Sequence, residues 1–422
     1  MTHLTRVACA VLVCLGLGQP AWAQASDTAP NAKPALDRAI RTLFSGKTFS
    51  QTAISPDGKQ IAWVESMTGG TAIYVAPVSG GVAPRRITAG VGSAGGHAED
   101  SVAWSPDSKR LAFLSDARTP GQTQLYLAGA AGGPVSQLTS VKGFLASPGW
   151  SPDGKTIAVL FTENAERAAG PLVAEKVQTG VIKDAVTEQR LALVNASGGT
   201  LRQISPADMY VYEYDWSPDG KRFVTTAAHG NGDDNWYIAQ IYTIDAAGGE
   251  MKSIYKPAID SQIANPAWSP DGELVAFISG LMSDEPAVGG DIFVVPAAGG
   301  AARNITPEMK ASASWLTWTA GGKILFGEEV DGESGIATVD AAGGKIETLW
   351  RGPDKLTANG WGTMVSISAD AKTSAVIRES LQHPPEVWAG PTAEWKQITS
   401  GNAALKPAWG EVKSVHWSNE GF

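Results

Sequence analysis

A four-residue turn, Ser-Pro-Asp-Gly, is spelled repeatedly along this chain, and nothing else in the sequence constrains the fold as tightly. ISPDGK stands at 54–59, WSPDSK at 104–109, WSPDGK at 150–155 and 216–221, and WSPDGE at 268–273. Fainter copies are WTAGGK at 318–323 and ISADAK at 367–372. Taken at the Ser position, the copies are 50, 46, 66, 52, 50 and 49 residues apart. Between them falls a second signature, a small residue followed by Gly-Gly, at 79–81, 131–133, 197–199, 247–249, 298–300 and 342–344. The seventh unit replaces it with a turn around Gly390-Pro391-Thr392.

The spelling follows from backbone conformation. Pro presets φ for the first central position, Asp suits the next, and Gly takes the left-handed position that rejoins two strands. Ser108 and Ala371 stand where that Gly is expected, which predicts two strained or differently shaped turns. Short β-type runs lie between the turns: LAFLS (111–115), LYLAG (125–129) and VSQLT (135–139) in unit two, followed by the run that ends in Trp150. Four such strands per unit, repeated radially, specify an all-β, seven-bladed β-propeller of four-stranded antiparallel blades with TolB-like or WD40-like repeats. Helical solenoids are excluded because the segments lack a 3.6-residue period. Each unit supplies its own four strands, so closure should borrow none from the far terminus. The Trp residues before the turns (Trp104, Trp150, Trp216, Trp268 and Trp318) are expected to pack between blades.

Residues 1–23 read as a secretory signal peptide: MTHLTR is a positive start, VACAVLVCLGLG an apolar core and AWA a small-x-small cleavage site. Both cysteines, Cys9 and Cys14, lie inside it, so the remaining chain has no thiol for a disulfide, a nucleophile or a metal. No later apolar run reaches the roughly 20 residues that span a bilayer. These features predict a periplasmic or secreted location. The formal net charge of −9, without basic clusters, argues against nucleic acid or an anionic membrane surface as partner. Residues 24–46 form an N-terminal segment in which NAKPALDRAIRTLF (31–44) predicts one short helix, with Leu36, Ile40 and Leu43 on one face. The propeller is then expected over 47–402.

The turn assignment also separates two ends. The first and third connections of every blade are the uniform SPDG and Gly-Gly turns. Length variation gathers at the opposite end, in 90–101, 228–236, 279–290 and GEEVDGES (327–334), where Glu328-Glu329 reads as a loop end. The longest piece is the unit-three insertion, 163–189, read as partly helical. Function concentrates in variable loops on a rigid scaffold. No G-x-S-x-G elbow, H-E-x-x-H or metal-ligand spacing among His97, His229, His383 and His416 is present.

The WSPDGK repeats, the unit-three insertion, YVYEYDWSPDG (210–220), HPPEVW (383–388) and the tail LKPAWGEVKSVHWSNEGF (405–422) resemble the N-terminal propeller of the prolyl oligopeptidase family of serine peptidases, in its secreted bacterial branch. The resemblance covers roughly 24–422. It implies that 403–422 is a linker and the opening of an α/β-hydrolase domain missing from this chain, that the propeller admits short peptides to that domain, and that no cofactor is needed. No catalytic residue can be carried over. The dipeptidyl branch holds the substrate amine with paired glutamates in a motif similar to D-W-x-Y-E-E. Here Glu213 matches the first Glu, Tyr214 replaces the second, and Met209-Tyr210 replace Asp-Trp. The implied substrate-binding residues are Glu213 with Tyr210 and Tyr212, then Glu163, Glu166 and Arg167 at the root of the insertion. An alternative is a non-enzymatic periplasmic propeller that binds partner proteins, similar to the Tol-Pal propeller; against it, no α/β domain fits before the first blade. A metal-dependent lactonase or sugar lyase would need clustered His or acidic ligands in the channel.

Overall fold

A computed structural model describes residues 32–43, 45–90, 96–165, 187–230, 235–283, 289–360, 362–405, 413 and 415–419. The chain divides into two units, 1–46 and 47–422. Within the first, a helix spans Ala32–Leu43, with Leu36 and Ile40 exposed. The second unit contains seven separate antiparallel sheets, one per repeat.

Blade one runs Phe49–Ile54, Gln60–Met67, Gly70–Pro77 and Arg85–Ile87, in simple meander order. Blades two to six repeat that order over 99–137, 143–203, 209–255, 261–304 and 312–352. Blade seven differs: its first strand is split into Lys355–Thr357 and Ser366–Ile367, both paired with Thr373–Glu379. Among the described residues no sheet includes a strand from the far end of the chain. Closure is made by isolated backbone bonds, the Thr52 amide to the Ala358 carbonyl (2.8 Å) and the Ala369 amide to the Pro56 carbonyl (2.9 Å), and by side chains. Asn402 Oδ1 accepts from the Lys47 amide at 2.8 Å, Asn402 Nδ2 donates to the Lys47 carbonyl at 2.9 Å, and Ser366 Oγ accepts from the Ile54 amide at 2.9 Å.

The repeated turn is a closed hydrogen-bond circuit, which explains the Ser as well as the Pro, Asp and Gly. In blade three Ser151 Oγ donates to Asp153 Oδ1 (2.7 Å) and accepts from the Thr156 amide (3.0 Å), while Asp153 Oδ1 accepts from the Lys155 amide (3.1 Å). The same three bonds recur from Ser217 and Ser368. Ser108 and Ala371 hold φ of 60°, beside 70° at Gly58, and close the same turn bond at 2.9 Å. The expectation of strain therefore holds and that of altered shape does not. In unit seven the second turn sits one step later than expected, with the Glu394 amide bonded to the Pro391 carbonyl.

The tryptophans tie blade to blade. The indole N–H of Trp104, Trp150, Trp216 and Trp318 donates to the carbonyl of Ala53, Ala103, Gly149 and Ala267 respectively, at 3.0–3.3 Å. Each acceptor lies two residues before the turn Ser of the preceding blade. At the Loop end one reading is corrected. GEEVDGES is not a loop: Lys323–Val330 and Glu333–Asp340 are strands joined by the two-residue turn Asp331-Gly332, whose φ values of 52° and 78° fit a tight hairpin. Glu328 is buried there and pairs with Arg351 Nη2 at 2.5 Å.

Candidate functional site

The innermost strands line the central channel, and in blades one to six each carries an irregularity in its pairing with the second strand, at 49/51, 100/103, 146/149, 211/213, 264/267 and 313/315. A β-bulge leaves backbone groups without ladder partners. Buried groups of that kind must be satisfied elsewhere. Here the neighbouring blade supplies a side chain. Gln51 brackets the blade-two bulge, accepting from the Val102 amide (2.7 Å) and donating to its carbonyl (2.9 Å). Tyr214 Oη donates to the Ser147 carbonyl (2.5 Å) of blade three. Ser314 and Thr363 exchange two bonds between blades six and seven (3.0 and 3.2 Å).

Glu213 belongs to this system. It stands four residues before its turn Ser, as Gln51 does, and its Oε2 accepts from the Asn265 amide of blade five (2.9 Å) and from Thr226 Oγ1 (3.1 Å). Unlike the amide of Gln51, the carboxyl leaves Oε1 without a protein donor among the described residues. Two residues on, Asp215 Oδ2 accepts from the Trp268 amide (2.9 Å). Each blade that presents a carbonyl to a turn indole has Ala or Gly where Asp215 stands, and among the turn tryptophans Trp268 is the one whose indole N–H has no partner among the described residues.

Glu213 and Asp215 line one cavity of about 460 Å³ with Gln51, Ser147, Tyr212 and Asn359, which belong to blades one, three, four and seven. Both carboxyls keep narrow access to the channel yet are enclosed by protein. Burial pushes Glu213 above the ordinary carboxyl range and Asp215 from 3.8 to about 6, against the opposing pull of their backbone hydrogen bonds. The Tyr214 phenol is raised for the same reason, with Asp215 adding to the effect.

Of the residues singled out from sequence, Glu213 and Tyr212 share this cavity. Tyr210 is buried with its ring packed on Tyr212 at 4.9 Å. Glu163 lies in a separate outer groove, accepting from Gln203 Nε2 at 3.0 Å, and is not brought to Glu213. Glu166 and Arg167 lie outside the described residues, as does most of the insertion. Sequence reasoning missed Gln51, Asp215 and the wall-side role of Tyr214. Alignment of the seven turns would have exposed Asp215, since small residues fill its place in blades one, two, three and five. Among the described residues no group of three His, Cys, Asp or Glu is placed to hold a metal ion, and no helix is long and apolar enough to cross a membrane.

Comparison with known proteins points the same way for the fold. Residues 36–191 match the TolB beta propeller domain family. The uncharacterized peptidase YuxL of Bacillus subtilis is 26% identical over 193 residues, 46% of this chain and 23% of its own length. The Tol-Pal system protein TolB of Francisella tularensis subsp. mediasiatica is 26% identical over 204 residues, 42% of this chain and 44% of its own. The chain thus spans less than half the length of either curated relative. Among solved structures, an acylaminoacyl peptidase in complex with Z-Gly-Gly-Phe-chloromethyl ketone superposes with a TM-score of 0.61 over 86% of this chain and 54% of its own, at 13% identity. The chain is a seven-bladed, TolB-like β-propeller that resembles peptidase propellers in fold.

Proposed function

We propose that this propeller is the substrate-gating part of an exported serine peptidase of the prolyl oligopeptidase family, admitting short peptides to a hydrolase domain joined at its loop-bearing end. The observation that carries the reading is Glu213: one carboxylate oxygen is committed to the blade seam and the other is left for the channel. Such an oxygen suits the ammonium of a peptide N-terminus in a poorly solvated site. The similarity to a protein named as a peptidase supports the same reading, and the hydrogen bonds between Lys47 and Asn402 support a junction at the loop-bearing end. Residues 1–23 act as the export signal, 24–46 as a leading segment, and 403–422 as the link to the hydrolase domain. The work requires no cofactor.

Glu213→Gln tests the site directly, because an amide at the equivalent position, Gln51, already satisfies a bulge. Calorimetric titration of the full chain with a tripeptide bearing a free amine should show about tenfold weaker binding to the variant, with the N-acetylated tripeptide unaffected. Equal affinities for both peptides in both proteins would overturn the assignment.

The TolB similarity favours a second reading, a periplasmic propeller that binds partner proteins. The intact mass of the native product separates the two. A mass well above the 44.0 kDa of this chain supports the peptidase, and a mass at or just below it supports the binding protein.

A further inference from the structure

A second cleft, of about 610 Å³, opens between blades three and four on the turn-bearing side. Its origin is visible by comparing seams. Between blades two and three, Arg110 (the fifth residue after its turn Ser) lays its guanidinium 4.7 Å from the ring centroid of Trp150 and donates from Nη2 to the Gly154 carbonyl at 3.1 Å. Between blades four and five, Arg222 takes the same place, 4.8 Å from Trp268. Those two rings are 8% and 4% exposed. Between blades three and four the corresponding residue is Thr156, too short to reach Trp216. Gln60 and Leu274 fill that position ahead of Trp104 and Trp318, so Thr156 is the one short side chain facing a turn tryptophan.

The cleft keeps the other half of the arginine contact. Trp216 is only half-buried and lines it, together with Gly220, the counterpart of Gly154. Among the described residues no side chain donates to the Gly220 carbonyl. Asp153 and Asp219 stand at the rim, and hydrogen bonds from Ser151 and Ser217 hold both carboxyls below the ordinary range, so they stay anionic. Arg202 also lines the cleft but is committed to the Ala246 and Ala247 carbonyls at 3.2 and 2.8 Å.

We propose that this cleft binds a guanidinium group, supplied by an arginine residue of a peptide or by free arginine, which stacks on Trp216 and donates to the Gly220 carbonyl as Arg110 does one seam earlier. The site is separate from the channel cavity and does not depend on the peptidase reading. Calorimetric titration of the full chain with L-arginine amide and with acetyl-Gly-Arg-Gly-amide should show saturable binding of both, the tighter probe identifying the source. The citrulline form of the peptide, neutral but of the same shape, should bind about tenfold more weakly. Thr156→Arg supplies the guanidinium from within and should abolish binding. Thr156→Gln, copying Gln60, serves the same purpose if the arginine variant does not fold. Absence of saturable binding, equal affinity for citrulline, or full binding to the filled variants would each overturn the proposal.

Discussion

Each innermost strand contains two regions under opposite demands, a turn end and a channel-facing middle. At the turn end, Asp153 and Asp219 accept Ser hydroxyl and backbone N–H bonds in the open, and their carboxyls are held low. In the middle, Asp215 also accepts backbone N–H bonds, yet burial overrides them and lifts it to about 6. The same residue type, four positions apart at Asp215 and Asp219, is tuned in opposite directions: a Ser hydroxyl bond in the open lowers one, and burial raises the other. Repetition marks the region whose neighbours are always the same, and singularity marks the one that faces the channel.

The largest test of this contrast concerns the tryptophans at the turn end. Trp104→Ala removes a buried ring and its indole bond to Ala53, and should cost about 3–5 kcal/mol in urea unfolding. Trp216→Ala removes a ring already open to a cleft and should cost roughly 1–3 kcal/mol. Equal losses would mean that the two seams are packed alike and the cleft is closed in solution.

The second test is pH. A carboxyl whose pKa rises from 3.8 in the unfolded chain to about 6 in the folded one binds its proton more readily when native. Protonation therefore stabilises the fold, and that stabilisation is lost as pH rises through this window. Asp215→Asn keeps an acceptor for the Trp268 amide without the titration. Between about pH 4 and about pH 7, the unsubstituted protein should lose on the order of 2 kcal/mol relative to that variant. The turn aspartates act with opposite sign, since their depressed values make acid weaken the turns. Parallel stability curves for the two proteins would place Asp215 in ordinary solvent.

The smallest effect lies within the turns. Ala371 pays for a left-handed backbone without return, so Ala371→Gly should stabilise by about 0.5–1 kcal/mol. Ser108 has the same φ, but its Oγ accepts from the Asp57 amide of the preceding blade at 3.0 Å. Ser108→Gly should therefore gain less, or lose. If both glycine variants gained equally in thermal unfolding, the Ser108–Asp57 bond would be energetically silent.

How much of this was legible beforehand follows from which interactions are local. The turn Ser, Pro, Asp and Gly satisfy one another within six residues, so their spelling announces seven blades, the uniform end and the interblade tryptophans. Glu213 was found by resemblance to a motif, and its partner Asn265 lies 52 residues away on the next blade. Glu328 was misplaced because two consecutive glutamates resemble a loop until Arg351, from the edge of the same sheet, accounts for one of them. Asp215 and Thr156 are not legible in the sequence of a single blade because each is ordinary in its own blade and unusual only beside the next.

The sequence by itself therefore determined the number of blades, their strand order and which end would repeat, because hairpin chemistry is written in adjacent residues. Only the tertiary structure decided which carboxyls face the channel, which indole goes without an acceptor and which seam stays open. Those features arise where blades some 50 residues apart are pressed together, and burial and partner geometry there belong to the pair of blades, not to either segment alone.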